Sequence, residues 1–113
     1  MALNHAEPGE PWDVRPLGHE LAAAKTTALF KAEHLEVIRL VLLAGQELPP
    51  HKVAGEITLQ CLEGELLIEV QSDRYRLPSG RMLYLTGGEV HKVVATQDSS
   101  ALLTIALVQM NGN

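Results

Sequence analysis

Two histidines, His51 and His91, lie in turn-like segments of the sequence and could form one chemical site. His51 follows two prolines in "LPPHKVAGEI", and His91 follows a pair of glycines in "TGGEVHKVV". Imidazole nitrogens bind protons, hydrogen-bond donors and divalent transition metals such as Zn, Ni, Cu and Fe. Glu56, five residues after His51, offers a carboxylate. The three side chains together would make a triad of two histidines and a carboxylate, which is a metal-binding set.

The conformation after His51 decides whether Glu56 can join the two histidines. Side chains alternate across a strand, so a regular strand with His51 inside turns Glu56 to the outside. A bulge in the turn would swing Glu56 inward instead and complete the triad. Without it, the histidines would be partly buried imidazoles bonded to each other, to water or to the backbone. The regular register also places four further residues inside: Val53, Ile57, Leu59 and Cys61.

The elements that must position these residues are short strands. Eight or so β-branched and leucine-rich segments alternate with turn signals, and this spacing favours an all-β sandwich or barrel. Glu63-Gly64 is interpreted as a hairpin-like joint, and Pro78-Ser79-Gly80 as a turn. Residues 1–24 are expected to form an irregular N-terminal arm with a possible short helix in "GHELAAAK". Residues 25–113 are expected to form the barrel.

Composition narrows the class of partner. The formal net charge is −5, and an acidic surface repels phosphate backbones, so no nucleic-acid partner is expected. No apolar run is long enough for a membrane span, and no signal peptide is recognised, so no membrane partner is expected. Cys61 is the only cysteine, and a chain without an internal disulfide fits a cytoplasmic location.

Glycines at fixed offsets place the two histidines in a recognisable pattern. Gly45 precedes His51 by five intervening residues, and Gly80 precedes Thr86 in the same way; Gly88 and His91 follow. This pattern resembles the cupin superfamily, specifically the small RmlC-like, cupin type-2 proteins. Their motifs read G-x5-H-x-H-x3,4-E-x6-G and G-x5-P-x-G-x2-H-x3-N. The resemblance covers roughly residues 35–108 and implies a single-domain, all-β cupin barrel, the double-stranded β-helix or jelly roll.

The resemblance also implies a metal site, but this chain keeps only part of it. Cupins commonly bind a divalent metal through two histidines and a glutamate of the first motif and a histidine of the second. His51 and His91 match, whereas Val53 replaces the second histidine and Ile57 the glutamate. The metal motif is thus interpreted as degenerate. Candidate metal ligands are His51, His91 and Glu56, for Zn, Ni, Fe or Cu.

Three functions remain open from the sequence. The first is a small-molecule-binding cupin that holds a largely apolar ligand in a pocket. That pocket would comprise His51, Val53, Ile57, Leu59, Cys61 and His91. The second is a metal-dependent cupin enzyme of the dioxygenase, isomerase or decarboxylase kind, with its catalytic residues unassigned beyond the candidate ligands. The third is a structural or regulatory protein with no ligand.

A homodimer is expected, because apolar strands need cover on both faces. Arg39 could enter the cavity and pair with a ligand carboxylate, or lie on the outer sheet face.

Overall fold

The computed structural model describes residues 5–108, and their strands form two antiparallel sheets. A five-stranded sheet has the order β1-β2-β9-β4-β7, and a four-stranded sheet has the order β3-β8-β5-β6. The two sheets enclose one core, which makes the protein an all-β jelly roll as the sequence predicted. The strands are β1 Thr27–Lys31, β2 Leu35–Leu42, β3 Glu47–His51, β4 Ile57–Glu63, β5 Glu65–Val70, β6 Asp73–Pro78, β7 Met82–Leu85, β8 His91–Ala95 and β9 Ser99–Ala106.

Alternating burial explains why the central strands face a common core. In β4, β5 and β8 every second side chain is buried, which is the period-2 pattern of a strand with one face inside. The core consists almost entirely of aliphatic side chains. Its members from these three strands are Ile57, Leu59, Cys61, Leu66, Ile68, Val70, Val93 and Ala95.

Two of the strands were not predicted from the sequence. β1 is a short edge strand, and β3 contains Pro49 and Pro50. Proline has no backbone N–H to donate to a neighbouring strand, so the two prolines indicated a turn in the sequence. An edge strand tolerates proline, because one of its sides has no neighbouring strand. β3 is such an edge, hydrogen-bonded only to β8 among the strands described, with an irregularity between Leu48 and His51.

The Glu63-Gly64 joint is a corner between sheets, so the hairpin interpretation was wrong. β4 belongs to the five-stranded sheet and β5 to the four-stranded sheet. Gly64 has a φ of 81°, and a Cβ there would collide with the carbonyl of Asp98. Glycine is the residue that permits both the positive φ and this close approach. The hairpin is instead formed by the next two strands, β5 and β6. Val70 pairs with Asp73 beside the turn, and Glu65 pairs with Pro78 at the far end.

The N-terminal arm lies against the five-stranded sheet. A 3-10 helix spans Gly18–Ala23, within the segment where the sequence predicted one or two helical turns, and β1 begins four residues later. The backbone N–H of Ala6 donates to the carbonyl of Leu29 in β1 at 2.9 Å. The first residues of the predicted arm, 1–4, and the last of the predicted barrel, 109–113, lie outside the described residues.

Candidate functional site at one end of the barrel

His51 and His91 face each other across a strand pair. His51 ends β3, His91 begins β8, and the two are directly opposed in the ladder. Their ring centroids are 4.3 Å apart with an interplanar angle of 60°, an edge-to-face arrangement. Directly opposed residues on neighbouring antiparallel strands are the closest side-chain neighbours in a sheet. The structure thus brings together two histidines that are forty residues apart in sequence.

Backbone carbonyls hydrogen-bond the Nδ1 atom of each histidine ring. Nδ1 of His51 lies 2.9 Å from the carbonyl oxygen of Pro49, and Nδ1 of His91 lies 3.2 Å from that of Glu89. A carbonyl oxygen only accepts hydrogen bonds, so each Nδ1 must carry the hydrogen. In a neutral imidazole the lone pair is then on Nε2. The site therefore presents two Nε2 acceptors.

Burial keeps His91 neutral over a wider pH range than an exposed histidine. Burial lowers the pKa of His91 below its ordinary value, because it disfavours the charged ring. The hydrogen bond to the Glu89 carbonyl acts in the opposite direction, and the neighbouring His51 ring lowers the pKa further. At neutral pH His91 is therefore an acceptor at Nε2.

The space beside the two rings is apolar and almost filled. The cavity has a volume of about 10 Å³, which is room for one water molecule at most. Ile57 and Leu59, two residues of the predicted pocket, line it. Six further aliphatic side chains complete the wall: Leu40, Leu48, Ile68, Leu85, Val93 and Leu103. These six could not be selected from the sequence, because they come from strands whose inward register is set by pairing across the barrel.

Two residues of the predicted pocket lie elsewhere. Val53 is half-buried and packs against the core, but it does not line the cavity. Cys61 is fully buried beside the Glu63-Gly64 corner, and its thiol donates to the carbonyl of Glu63 at 3.3 Å. Burial raises the pKa of the Cys61 thiol, so it remains protonated and unreactive.

Glu56 does not reach the histidines. It lies on the outer side of the five-stranded sheet, where the hydroxyl of Tyr84 donates to its Oε2 at 2.8 Å. The hydrogen bond to this carboxylate raises the pKa of Tyr84. The triad of His51, Glu56 and His91 is not assembled, because strand alternation directs Glu56 away from the cavity.

The ligand set does not fit the divalent metal that the fold family implies. Between residues 5 and 108 no three or more His, Cys, Asp or Glu side chains come together in a metal-binding cluster. The anchored Nδ1 atoms are the kind of support that metal-binding histidines have. Two imidazoles alone, however, fall short of the three protein ligands of a typical catalytic metal site.

A second polar cluster, which sequence analysis missed, holds the arm to the barrel. Arg39 is only 8% exposed, and its guanidinium lies 3.8 Å from Oε2 of Glu63. Glu63 accepts the backbone N–H groups of Leu17 at 2.8 Å and Gly18 at 3.0 Å, together with the Ser100 hydroxyl. Arg39 thus lies on the outer sheet face, but its charged head is buried under the arm and is not in water.

Burial and hydrogen bonding act in opposite directions on Glu63. Burial raises its pKa, whereas the bonds from Ser100, Leu17 and Gly18 and the charge of Arg39 lower it. The net effect lowers the pKa of Glu63, so its ionised form is stabilised in the folded protein. Neither Arg39 nor Glu63 lines the histidine cavity.

Several solved structures, two of them RmlC-like cupins, resemble this chain over most of its length. An RmlC-like cupin from Desulfovibrio desulfuricans is 30% identical, with 72% of this chain and 79% of that chain covered and a TM-score of 0.67. An RmlC-like cupin from Shewanella frigidimarina is 17% identical over 98% of this chain and 97% of that chain, with a TM-score of 0.71. A conserved Streptococcus pyogenes protein of unknown function is 20% identical over 96% and 97%, with a TM-score of 0.73.

Other comparisons add no activity. No protein-family model matches the chain, and no curated protein matches it. None of the described helices is long and apolar enough to cross a membrane. The two matches at 17% and 20% identity support the fold alone, whereas the Desulfovibrio protein is close enough in sequence to support the family. With its two sheets, its opposed histidines and this relative, the chain belongs to the RmlC-like cupin family.

Proposed function

We propose that this cupin binds a small, largely apolar molecule that carries one hydrogen-bond donor, such as a hydroxyl group. The observation that supports this proposal is the anchoring of both Nδ1 atoms on backbone carbonyls. Two Nε2 acceptors at the end of an aliphatic cavity suit a ligand that donates a hydrogen bond to one of them and packs its body against the wall.

Binding requires the histidine end of the barrel to open. A cavity of about 10 Å³ holds no organic molecule, whereas ligand pockets usually measure about 300–1,000 Å³. The β3–β4 and β7–β8 connections flank the two histidines, and the N–H of Gly88 donates to the carbonyl of Val53 at 2.8 Å between them. Separation of these two connections is the proposed route of entry, so binding follows a conformational change.

Phenol and anisole make a matched pair of probes, because anisole keeps the ring but has no hydroxyl hydrogen. We expect phenol to shift the Nε2 resonance of His51 or of His91, whichever accepts its hydroxyl hydrogen, in ¹⁵N-labelled protein at neutral pH, and anisole to cause no comparable shift. His34, whose side chain is largely exposed, serves as the internal control. Equal responses to both probes, or none at millimolar concentration, would overturn the proposal.

The alternative is a cupin enzyme with a divalent transition metal on His51 and His91. The Nδ1 anchoring favours it, and the lack of a third ligating side chain near them counts against it. Tag-free protein reconstituted with Zn, Ni, Fe or Cu separates the two functions. Near-stoichiometric metal that is lost in His51→Ala and in His91→Ala would establish the metal site. A barrel that takes neither probe nor metal would leave a structural or regulatory role.

We also propose a homodimer that forms through the outer face of the five-stranded sheet. The opposite sheet carries cross-strand ion pairs on its outer face, Glu47–Lys92 at 3.4 Å and Glu65–Arg76 at 2.8 Å. By contrast, β7 exposes Met82 to 63% and Tyr84 to 56%, beside the threonines of β4 and β9. The carboxylate of Glu56 beside them is already bonded to the Tyr84 hydroxyl, so this face offers protruding apolar side chains for a twofold contact with a second copy.

Light scattering tests the dimer. We expect twice the chain mass of 12.3 kDa for the parent protein and a single chain mass for Met82→Glu. Val90→Glu, at an equally exposed apolar residue near the histidines, is the control and should remain dimeric. A monomeric parent protein at micromolar concentration would refute the interface.

We also propose a cytoplasmic location, because the single cysteine is a free thiol and a reducing compartment suits it.

A further inference from the structure

A second cavity lies between the N-terminal arm and β1 and shares no lining residue with the cavity at His51 and His91. Its volume is about 610 Å³, within the usual range for a small-molecule pocket. Trp12 from the arm and Phe30 from β1 line it, and both side chains are half-buried. Unlike the cavity at the histidines, this one has room for a whole organic molecule without any movement of the barrel.

Local hydrogen bonds hold the arm in the shape that forms this cavity. Ala6 is bonded to Leu29 of β1, and the N–H of Glu10 donates to the carbonyl of Glu7 at 3.0 Å. The N–H of Glu7 in turn donates to Oε1 of Glu10 at 2.9 Å. Pro8 and Gly9 occupy the corner of this turn, and Gly9 has a φ of 82°, as the third position of a type II turn requires. The carboxylates of Glu7 and Glu10 are thereby placed at the same cavity as the two aromatic rings.

The charges around the cavity select the sign of a ligand. Glu7 and Glu10 contribute two negative charges and Lys31 one positive charge; with histidines, including the lining His5, counted as neutral at pH 7, the whole chain carries −5. Aromatic faces attract cations through the negative potential above the ring, and tryptophan does so most strongly. Both features disfavour an anion and favour a cation with an apolar surface.

We propose that the cavity between the arm and β1 binds a small organic cation of the quaternary ammonium class. Trp12 and Phe30 contact the alkyl groups around the charged nitrogen, and the carboxylates of Glu7 and Glu10 supply the opposite charge. This site is independent of the histidines, so it stands whether or not the barrel binds a phenol-like ligand or a metal.

The chain provides its own probe of this site, because Trp12 is its only tryptophan. Choline and its neutral carbon isostere, 3,3-dimethyl-1-butanol, are titrated at constant ionic strength while Trp12 fluorescence is recorded. We expect choline to saturate with a Kd below about 5 mM. The neutral isostere should bind about three- to thirty-fold more weakly, the range expected for a cation–π contact. Calorimetry of the same titrations checks that the optical change reports binding.

Two variants separate the contributions of charge and ring. Glu10→Gln keeps an oxygen that can accept the bond from Glu7 but removes the charge, and we expect it to weaken choline binding several-fold with little effect on the isostere. Phe30→Leu should weaken both ligands. Glu69→Gln removes the same charge from the other sheet and should leave the choline Kd unchanged. Absence of saturation, equal affinity for the isostere, or an equal loss in Glu69→Gln would overturn the proposal.

Discussion

Replacement of Glu63 by glutamine should destabilise the protein far more than its position at a strand end suggests. Oε2 of Glu63 meets the N–H of Leu17, the Ser100 hydroxyl and the guanidinium of Arg39, whereas Oε1 meets the N–H of Gly18. An amide supplies one acceptor oxygen in place of two. In either orientation its NH₂ group therefore faces at least one donor, and the buried charge of Arg39 loses its partner.

The expected loss follows from these contacts. Breaking a buried charge pair costs about 3–5 kcal/mol when one partner is deleted, and glutamine retains part of the bonding. We therefore expect Glu63→Gln to lower the free energy of unfolding by about 2–4 kcal/mol, or the Tm by roughly 8–20 °C. Urea unfolding followed by circular dichroism measures the loss. Trp12 fluorescence in the same titration shows whether the arm separates first.

Two matched variants test the cause of that loss. Glu69→Gln breaks a pair with the largely exposed Arg74 and should change stability by no more than about 0.5 kcal/mol. Adding Arg39→Met to Glu63→Gln removes the unpaired buried charge and should recover at least about 1 kcal/mol. A loss below about 1 kcal/mol in Glu63→Gln, or no recovery in the double variant, would refute the claim that the buried Arg39–Glu63 pair holds the arm to the barrel.

The same pair has a predictable pH dependence. The folded protein lowers the pKa of Glu63 below its ordinary value of 4.5, so ionised Glu63 contributes stability above that pH. This contribution disappears as the pH falls through the folded-state pKa, because the protonated carboxyl resembles the glutamine variant. The difference between the parent protein and Glu63→Gln should therefore be full at pH 6 and shrink progressively below pH 4.5.

The remaining predictions concern the barrel interior. His91 should titrate below the ordinary histidine pKa of 6.5 because it is buried, and NMR-monitored titration would contradict this with a midpoint at or above that value. Cys61 should be inert to a thiol reagent at pH 8 in the native state and react fully in urea; rapid native labelling would show that the barrel opens at this corner. Leu59→Ala should cost about 2–5 kcal/mol of unfolding free energy through the cavity it leaves, measured by urea unfolding, and a loss under about 1 kcal/mol would mean that the core collapses around it.

The sequence predicted the all-β class, because short apolar segments separated by turn residues are local signals, but it did not predict β1, β3 or the corner at Gly64. Gly64 and Gly80 mark places where the chain turns with positive φ, and the aliphatic alternation between them specifies an inward face. The resemblance of this glycine frame to the cupin motifs implied that His51 and His91 share one pocket. The all-β prediction rests on turn residues between short apolar segments, which are local properties, whereas the alternating burial of the strands is visible only in the structure.

What the sequence could not supply depends on distant residues. The filled cavity results from side chains of strands that meet only in the folded barrel, so no local pattern predicts its volume. The Arg39–Glu63 pair joins residues of β2 and β4, and the arm that covers them is irregular. Glu56 was a candidate ligand in the sequence; in the structure no strand runs from His51 to Glu56, and Glu56 directly precedes the inward-facing Ile57 of β4 and bonds to Tyr84 on the outer side.

The placement of His51 on β3 has a consequence for how this protein can change over evolutionary time. β3 is an edge strand that pairs only with β8 in the described part of the chain, and its side chains form little of the core. Substitutions in β3 can therefore alter one half of the histidine pair while the other strands keep the barrel folded. The His51 half of the site can thus vary with little effect on folding, whereas His91 is held in the buried central strand β8.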